Sequence, residues 1–100
     1  MVSLHATLVF LALSGTGQTE LLDFYSDGCA PCRRMDPTVR ELAALGYPVR
    51  RVNVTKERAL AAQFGVQDIP CFVMVVDGRE VDRQVGATSL GRLEQMASLG

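Results

Sequence analysis

Apolar residues fall into short runs whose period switches along the chain. Leu21-Leu22-Asp23-Phe24-Tyr25-Ser26 is an apolar, aromatic run closed by Asp27-Gly28, the pattern of a buried strand entering a turn. From Ala30 to Leu45 the period becomes helical: Met35, Val39, Leu42 and Leu45 share one stripe, and Gly46 supplies the stop. Pro37 lies inside that stripe, where its missing N–H and its ring predict a kink. Val49 to Val54 alternates as a strand, and Thr55 is placed to cap a helix over Lys56 to Phe64, ended by Gly65. Cys71 to Val76 is an unbroken β-branched and aromatic run. Asp77-Gly78 then signals a hairpin into Arg79 to Val85, and Thr88 is placed to cap a last helix over Ser89 to Leu99. Before all of these, Val2 to Ala6 reads as a strand, with Thr7 capping a helix to about Ser14 that Gly15 and Gly17 stop.

Strands separated by helices imply parallel neighbours, and the hairpin adds an antiparallel edge. The expected architecture is therefore α/β, a central mixed sheet of four to five strands flanked by helices on both faces. At 100 residues the chain makes one domain, 1–100.

A formal charge of −1 with 48% hydrophobic residues excludes a disordered chain and offers no basic footprint for nucleic acid. The cysteine count, three, cannot pair completely within one chain, so a disulfide-stapled scaffold is not expected. The run Leu8-Val9-Phe10-Leu11-Ala12-Leu13, followed by Ser14 and Gly15, has the look of a signal-peptide apolar segment, yet no Lys or Arg precedes it. It is far shorter than the roughly 20 residues that cross a bilayer. A cytoplasmic location is expected, with export to a periplasmic space as the alternative.

The chemistry lies in Cys29-Ala30-Pro31-Cys32, at the start of the long helix. Unpaired N–H groups and the dipole at a helix N-terminus stabilise a thiolate on Cys29, and one turn holds Cys32 close enough to attack a mixed disulfide. Pro31 fits the first turn, where a missing N–H costs nothing. Lowering a thiol pKa from about 8.5 to about 7 raises its thiolate fraction at neutral pH from a few per cent to about half. Cys29 is thus the expected nucleophile and Cys32 the resolving thiol. Two other readings remain open: half of a zinc site, which would have to recruit Cys71 and His5 and lacks a second ligand pair, and a pair of buried core cysteines. No metal is expected, and His5 receives no role.

Asp23-Phe24-Tyr25-Ser26-Asp27-Gly28-Cys29-Ala30-Pro31-Cys32-Arg33-Arg34-Met35-Asp36-Pro37 resembles the strand, CxPC loop and proline-kinked helix of the thioredoxin family. Phe64 to Pro70 resembles the segment that delivers the family's cis-proline, Val76 to Val81 its hairpin, and Val85-Gly86-Ala87 the turn before its final helix. The resemblance covers Leu21 to Leu99. It implies a thioredoxin fold and a protein disulfide reductase needing no bound cofactor, acting on disulfide-containing client proteins and recharged by a thioredoxin-reductase-like electron donor. No nucleic acid, no membrane span and a monomeric state belong to the same expectation. By resemblance, Asp23 is a buried acid that relays a proton to or from the resolving thiol, its pKa raised by desolvation; a solvated strand-end acid is the alternative. Gly28, Ala30, Pro31, Ile69 and Pro70 would form the client-binding surface, with a cis Pro70 exposing the Ile69 backbone opposite Cys29; an ordinary trans turn is the alternative.

Three departures qualify the likeness. Gly28 stands where the family usually has Trp, and the chain has no tryptophan. Arg51 stands where the family often has Lys; a guanidinium keeps its proton and, on reaching Asp23, would hold it more ionised. Cys71 follows Pro70 where Thr is common, and the alternation of a core strand turns it into the apolar interior, unable to bridge to the pair. Two rivals accompany the reductase reading: an exported reductant serving one particular client, and a thioredoxin-fold binding module without catalysis.

Overall fold

The computed structural model describes residues 18–100, so the strand expected over Val2–Ala6, the helix expected from Thr7 and His5 lie outside the described residues. Strands β1 (Thr19–Tyr25), β2 (Val49–Asn53), β3 (Cys71–Val76) and β4 (Arg79–Val85) alternate with helices α1 (Ala30–Ala44), α2 (Arg58–Gln63) and α3 (Leu90–Ala97). They build a four-stranded mixed sheet in the order β2-β1-β3-β4. β1 and β2 are parallel, joined by the α1 crossover, while β3 is antiparallel to β1 and β4. Asp77 and Gly78 join β3 to β4 with φ of 52° and 80°, the doubly left-handed turn that matches strand twist.

Side chains alternate across β1 and β3, so each face gathers its own core. On one face Leu21, Phe72 and Met74 pack with Met35, Val39 and Leu42 of α1 and Leu93 and Met96 of α3. On the other, Leu22, Phe24, Val52, Cys71, Val73 and Val75 pack with Ala61 of α2. Helices cover both faces, as expected. Asp23 shares the first face with Leu21 and is nearly as buried as the apolar residues around it.

Both helix caps depart from expectation, for one reason. Thr55 caps nothing, because Asn53 accepts from its N–H at 3.0 Å and its hydroxyl at 2.6 Å, so α2 starts only at Arg58 and without a side-chain cap. Ser89, not Thr88, caps α3, accepting from the Arg92 N–H at 3.1 Å. A local partner within reach decided each case. Leu45 has the helical spacing of the α1 stripe but falls past the last full turn, and it is exposed. The same helix runs without interruption through Pro37.

Candidate active site

Cys29 is the N-cap of α1: its backbone is extended, and its sulfur accepts from the Cys32 N–H at 3.2 Å. Ala30 and Pro31 occupy the first turn, where Pro31 has no N–H to leave unpaired. The loop before it is fastened at two points: Arg33 donates to the Asp27 carbonyl at 2.7 Å, and the Cys29 N–H donates to the Ser26 carbonyl. Cys29 and Cys32 form a disulfide with Cα atoms 5.2 Å apart. Cys29 keeps partial exposure and Cys32 is buried, so an incoming sulfur meets Cys29 first.

Across from Cys29 lies the loop before β3. The Ile69–Pro70 peptide is cis, and the Ile69 carbonyl oxygen stands 4.0 Å from the Cys29 sulfur. The Pro70 carbonyl is already taken by the Gly86 N–H at 2.7 Å, tying this loop to the end of β4. Pro70 itself is buried, while Gly28 and Ala30 are exposed and Pro31 and Ile69 half-buried. Gly28, Ala30 and Pro31 adjoin the two cysteines along the chain and Ile69-Pro70 faces Cys29 from across, the two sides of the rim.

Behind Cys32 opens a polar cleft of about 250 Å³, walled by Tyr25, Asp27, Arg33, Asp36 and Arg51. Arg51 organises it. The parallel register places Arg51 beside Asp23, and its Nε lies 3.3 Å from the Asp23 carboxylate. Its Nη2 donates to Asp36 at 2.9 Å, and its guanidinium lies over the Tyr25 ring at 4.1 Å. Burial pushes the Asp23 carboxyl from its ordinary 3.8 up to about 6; Arg51 pulls it down and Asp36 adds a smaller upward push. Arg51 therefore does reach Asp23 and favour its ionised form, but desolvation outweighs it.

Cys71 is free and buried on the opposite face, among Phe24, Val73 and Ala61. Burial pushes its thiol up, partly countered by Arg83. Among the described residues no cluster of three or more His, Cys, Asp or Glu is arranged to hold a metal.

The thioredoxin family model matches residues 11–98. The chain belongs to the thioredoxin family. It is 35% identical over 88 residues to a thioredoxin of Chlamydia caviae, covering 86% of this chain and 85% of that protein. A thioredoxin of Haemophilus influenzae is 40% identical over 70 residues, 67% of this chain and 65% of its own length. The X-ray structure of Fasciola hepatica thioredoxin superposes with a TM-score of 0.75 at 32% identity, covering 95% of this chain and 92% of that one. A mutant thioredoxin from Halobacterium salinarum gives 0.76 at 32% identity, covering 83% of this chain and 74% of that one. The fold is the thioredoxin fold, and family membership with the Cys29–Cys32 pair makes this chain a thiol-disulfide reductase, with disulfide-bearing substrates and a reductase partner.

The structure brings Cys29, Cys32, Gly28, Ala30, Pro31, Ile69 and Pro70 into one region and sets Asp23 behind the cleft, joined to it by Arg51. Sequence reasoning passed over Asp36. A signal was present, since Asp36 lies four residues after Cys32 and so on the same side of the helix.

Proposed function

We propose that this thioredoxin reduces protein disulfides with Cys29 as nucleophile, Cys32 as resolving thiol and Asp23 as proton carrier. The Cys29 thiolate attacks one sulfur of a client disulfide. That bond breaks, one client sulfur leaves as thiolate and takes a proton from water, and Cys29 is held in a mixed disulfide. Cys32 then gives its proton to the Asp23 carboxylate and attacks the Cys29 sulfur. The Cys29–Cys32 bond forms as the second client sulfur leaves and is protonated. The client has gained two electrons and two protons. A thioredoxin-reductase-like donor returns two electrons to the pair.

The observation that carries this reading is the unequal exposure of the two sulfurs at one helix N-terminus, with the Ile69 carbonyl facing the accessible one. An extended client segment laid along Ile69 would present its sulfur to Cys29, and Gly28, Ala30, Pro31 and Pro70 border that path. Gly28 leaves the rim without the flat ledge a tryptophan would give. In this reading the chain acts as a monomer in the cytoplasm, with export to a periplasmic space as the alternative.

Insulin reduction with dithiothreitol as electron source tests the assignment. Turnover should depend on the thiol pair and vanish in Cys29→Ser. Turnover that survives this change would overturn the nucleophile assignment, and no turnover in the unaltered protein would favour a binding module.

A further inference from the structure

Two carboxylates compete for one guanidinium in the cleft behind Cys32. Arg51 offers its Nη2 to Asp36 at 2.9 Å and its Nε to Asp23 at 3.3 Å, and Tyr25 supports the guanidinium plane from below at 4.1 Å. The shorter contact is the one with Asp36. A guanidinium is planar and can engage a single carboxylate through two parallel N–H groups. Here that doubly bonded arrangement with Asp23 does not form, because α1 delivers Asp36 to the other end of the fork.

We propose that Asp36 is a positioning residue: it takes one end of the Arg51 guanidinium, confines Asp23 to a single edge-on contact, and so keeps Asp23 available as a proton carrier. The inference rests on the relay reading of Asp23 above. Its physical content is a balance. Bonded through both N–H groups, Asp23 would be a weak base toward the Cys32 thiol; with one long contact it remains a stronger one. The charged groups that act on Asp23 are Arg51 on β2 and Asp36 on α1; the cleft that these two line adds Tyr25, Asp27, Cys32 and Arg33 as its other titratable walls. From β3 the residue paired with Asp23 is Phe72, which carries no charge. Asp36 is half-buried, so its amide variant fills the same space at the cleft edge.

The test is the titration of the Asp23 carboxyl carbon by NMR in the oxidised protein, where Cys29 and Cys32 do not titrate. Asp36→Asn leaves Arg51 Nη2 only a neutral carbonyl, a weaker acceptor than the carboxylate, so that Nη2 turns toward Asp23 and the midpoint should fall by about one pH unit. The same substitution in an Arg51→Met background should move it by much less, because only direct repulsion between the carboxylates is left to remove. Release of a trapped mixed disulfide should slow about threefold at pH 7 in Asp36→Asn, as a weaker base accepts the Cys32 proton. Asp36→Glu should restore both readouts. An unmoved midpoint in Asp36→Asn overturns the inference, and so does an equal shift in both backgrounds, which would make Asp36 a plain source of repulsion. Wild-type release in Asp23→Asn would instead overturn the relay reading and make Asp36 irrelevant to turnover, whatever the titration shows.

Discussion

Asp23 and Cys71 stand one rung apart in the β1–β3 ladder, where Asp23 pairs with Phe72 and Phe24 with Cys71. Their exposures, 3% and 1%, are nearly the same. Desolvation is the largest influence on both, and it pushes both toward the neutral form. Alternation along the strands sends them to opposite faces, and there the likeness ends. Asp23 meets a guanidinium that itself lines an open, polar cleft shared with Cys32. Cys71 sits in the apolar cluster with Phe24, Val52 and Val73, and the charge that acts on it most, Arg83, is itself engaged by Glu80 and the Phe64 carbonyl. Burial perturbs a group; a polar route to the reacting atoms makes the perturbation useful.

The largest effect that sharpens this contrast belongs to the cysteine pair itself. Cys32→Ser should leave Cys29 able to attack but remove its internal escape, so client proteins accumulate as covalent adducts that dithiothreitol releases. Non-reducing electrophoresis with mass spectrometry reads the outcome. Adducts on Cys71 rather than Cys29 would break the contrast at its root.

Next in size is Asp23→Asn. Loss of the proposed proton acceptor should slow release of a mixed disulfide about 100-fold at pH 7. In the unaltered protein the release rate should climb with pH and level off above about 6, where Asp23 is ionised and able to accept. Stability should move the other way. The folded carboxyl holds its proton up to about 6 and the unfolded one only to 3.8, so the native state loses stability as pH rises through that window. The amide has no such loss. Asp23→Asn should be the more stable protein by about 3 kcal/mol at pH 8 and by nothing below about pH 4. Urea unfolding at the two pH values checks the sign, and equal midpoints at pH 8 would mean a solvated Asp23.

How much of this was legible beforehand differs between the scaffold and the cleft. Cys71–Val76 and the Asp77-Gly78 hairpin follow from β-branched composition and turn chemistry, local properties that the fold had no reason to override. The α1 stripe could be read as far as Leu42, and only the missing last turn removed Leu45 from it. Thr55 misled because Asn53 engages it in a local turn and leaves α2 without a side-chain cap, and Thr88 because its neighbour Ser89 takes the cap. At the site, Cys29 and Cys32 announce themselves by spacing. Asp23, Asp36 and Arg51 come from three separate elements and meet only through the β1–β2 register and the crossing of α1 over the sheet, a fact about packing that no local pattern carries.

The smallest expected effect lies on the quiet face. Cys71 lies in an apolar cluster, where a thiol demands little hydrogen bonding and a hydroxyl demands more. Cys71→Ser, though nearly isosteric, should therefore cost about 1–2 kcal/mol, while Cys71→Ala, which leaves a small void but no unpaired polar atom, should cost about 1 kcal/mol. Both variants should keep full insulin reductase activity, since the sulfur faces away from Asp23 and the cleft behind Cys32. The raised thiol also predicts slow alkylation of Cys71 by iodoacetamide at neutral pH in the folded protein. Peptide mapping after air oxidation separates packing from participation: a bridge between Cys71 and Cys29 or Cys32 requires Cα atoms within about 7 Å and facing Cβ atoms. The strand directs the Cys71 side chain into the core it shares with Ala61 and Val73, so no such bridge should form; finding one would erase the difference between the two faces and make Cys71 a third redox centre.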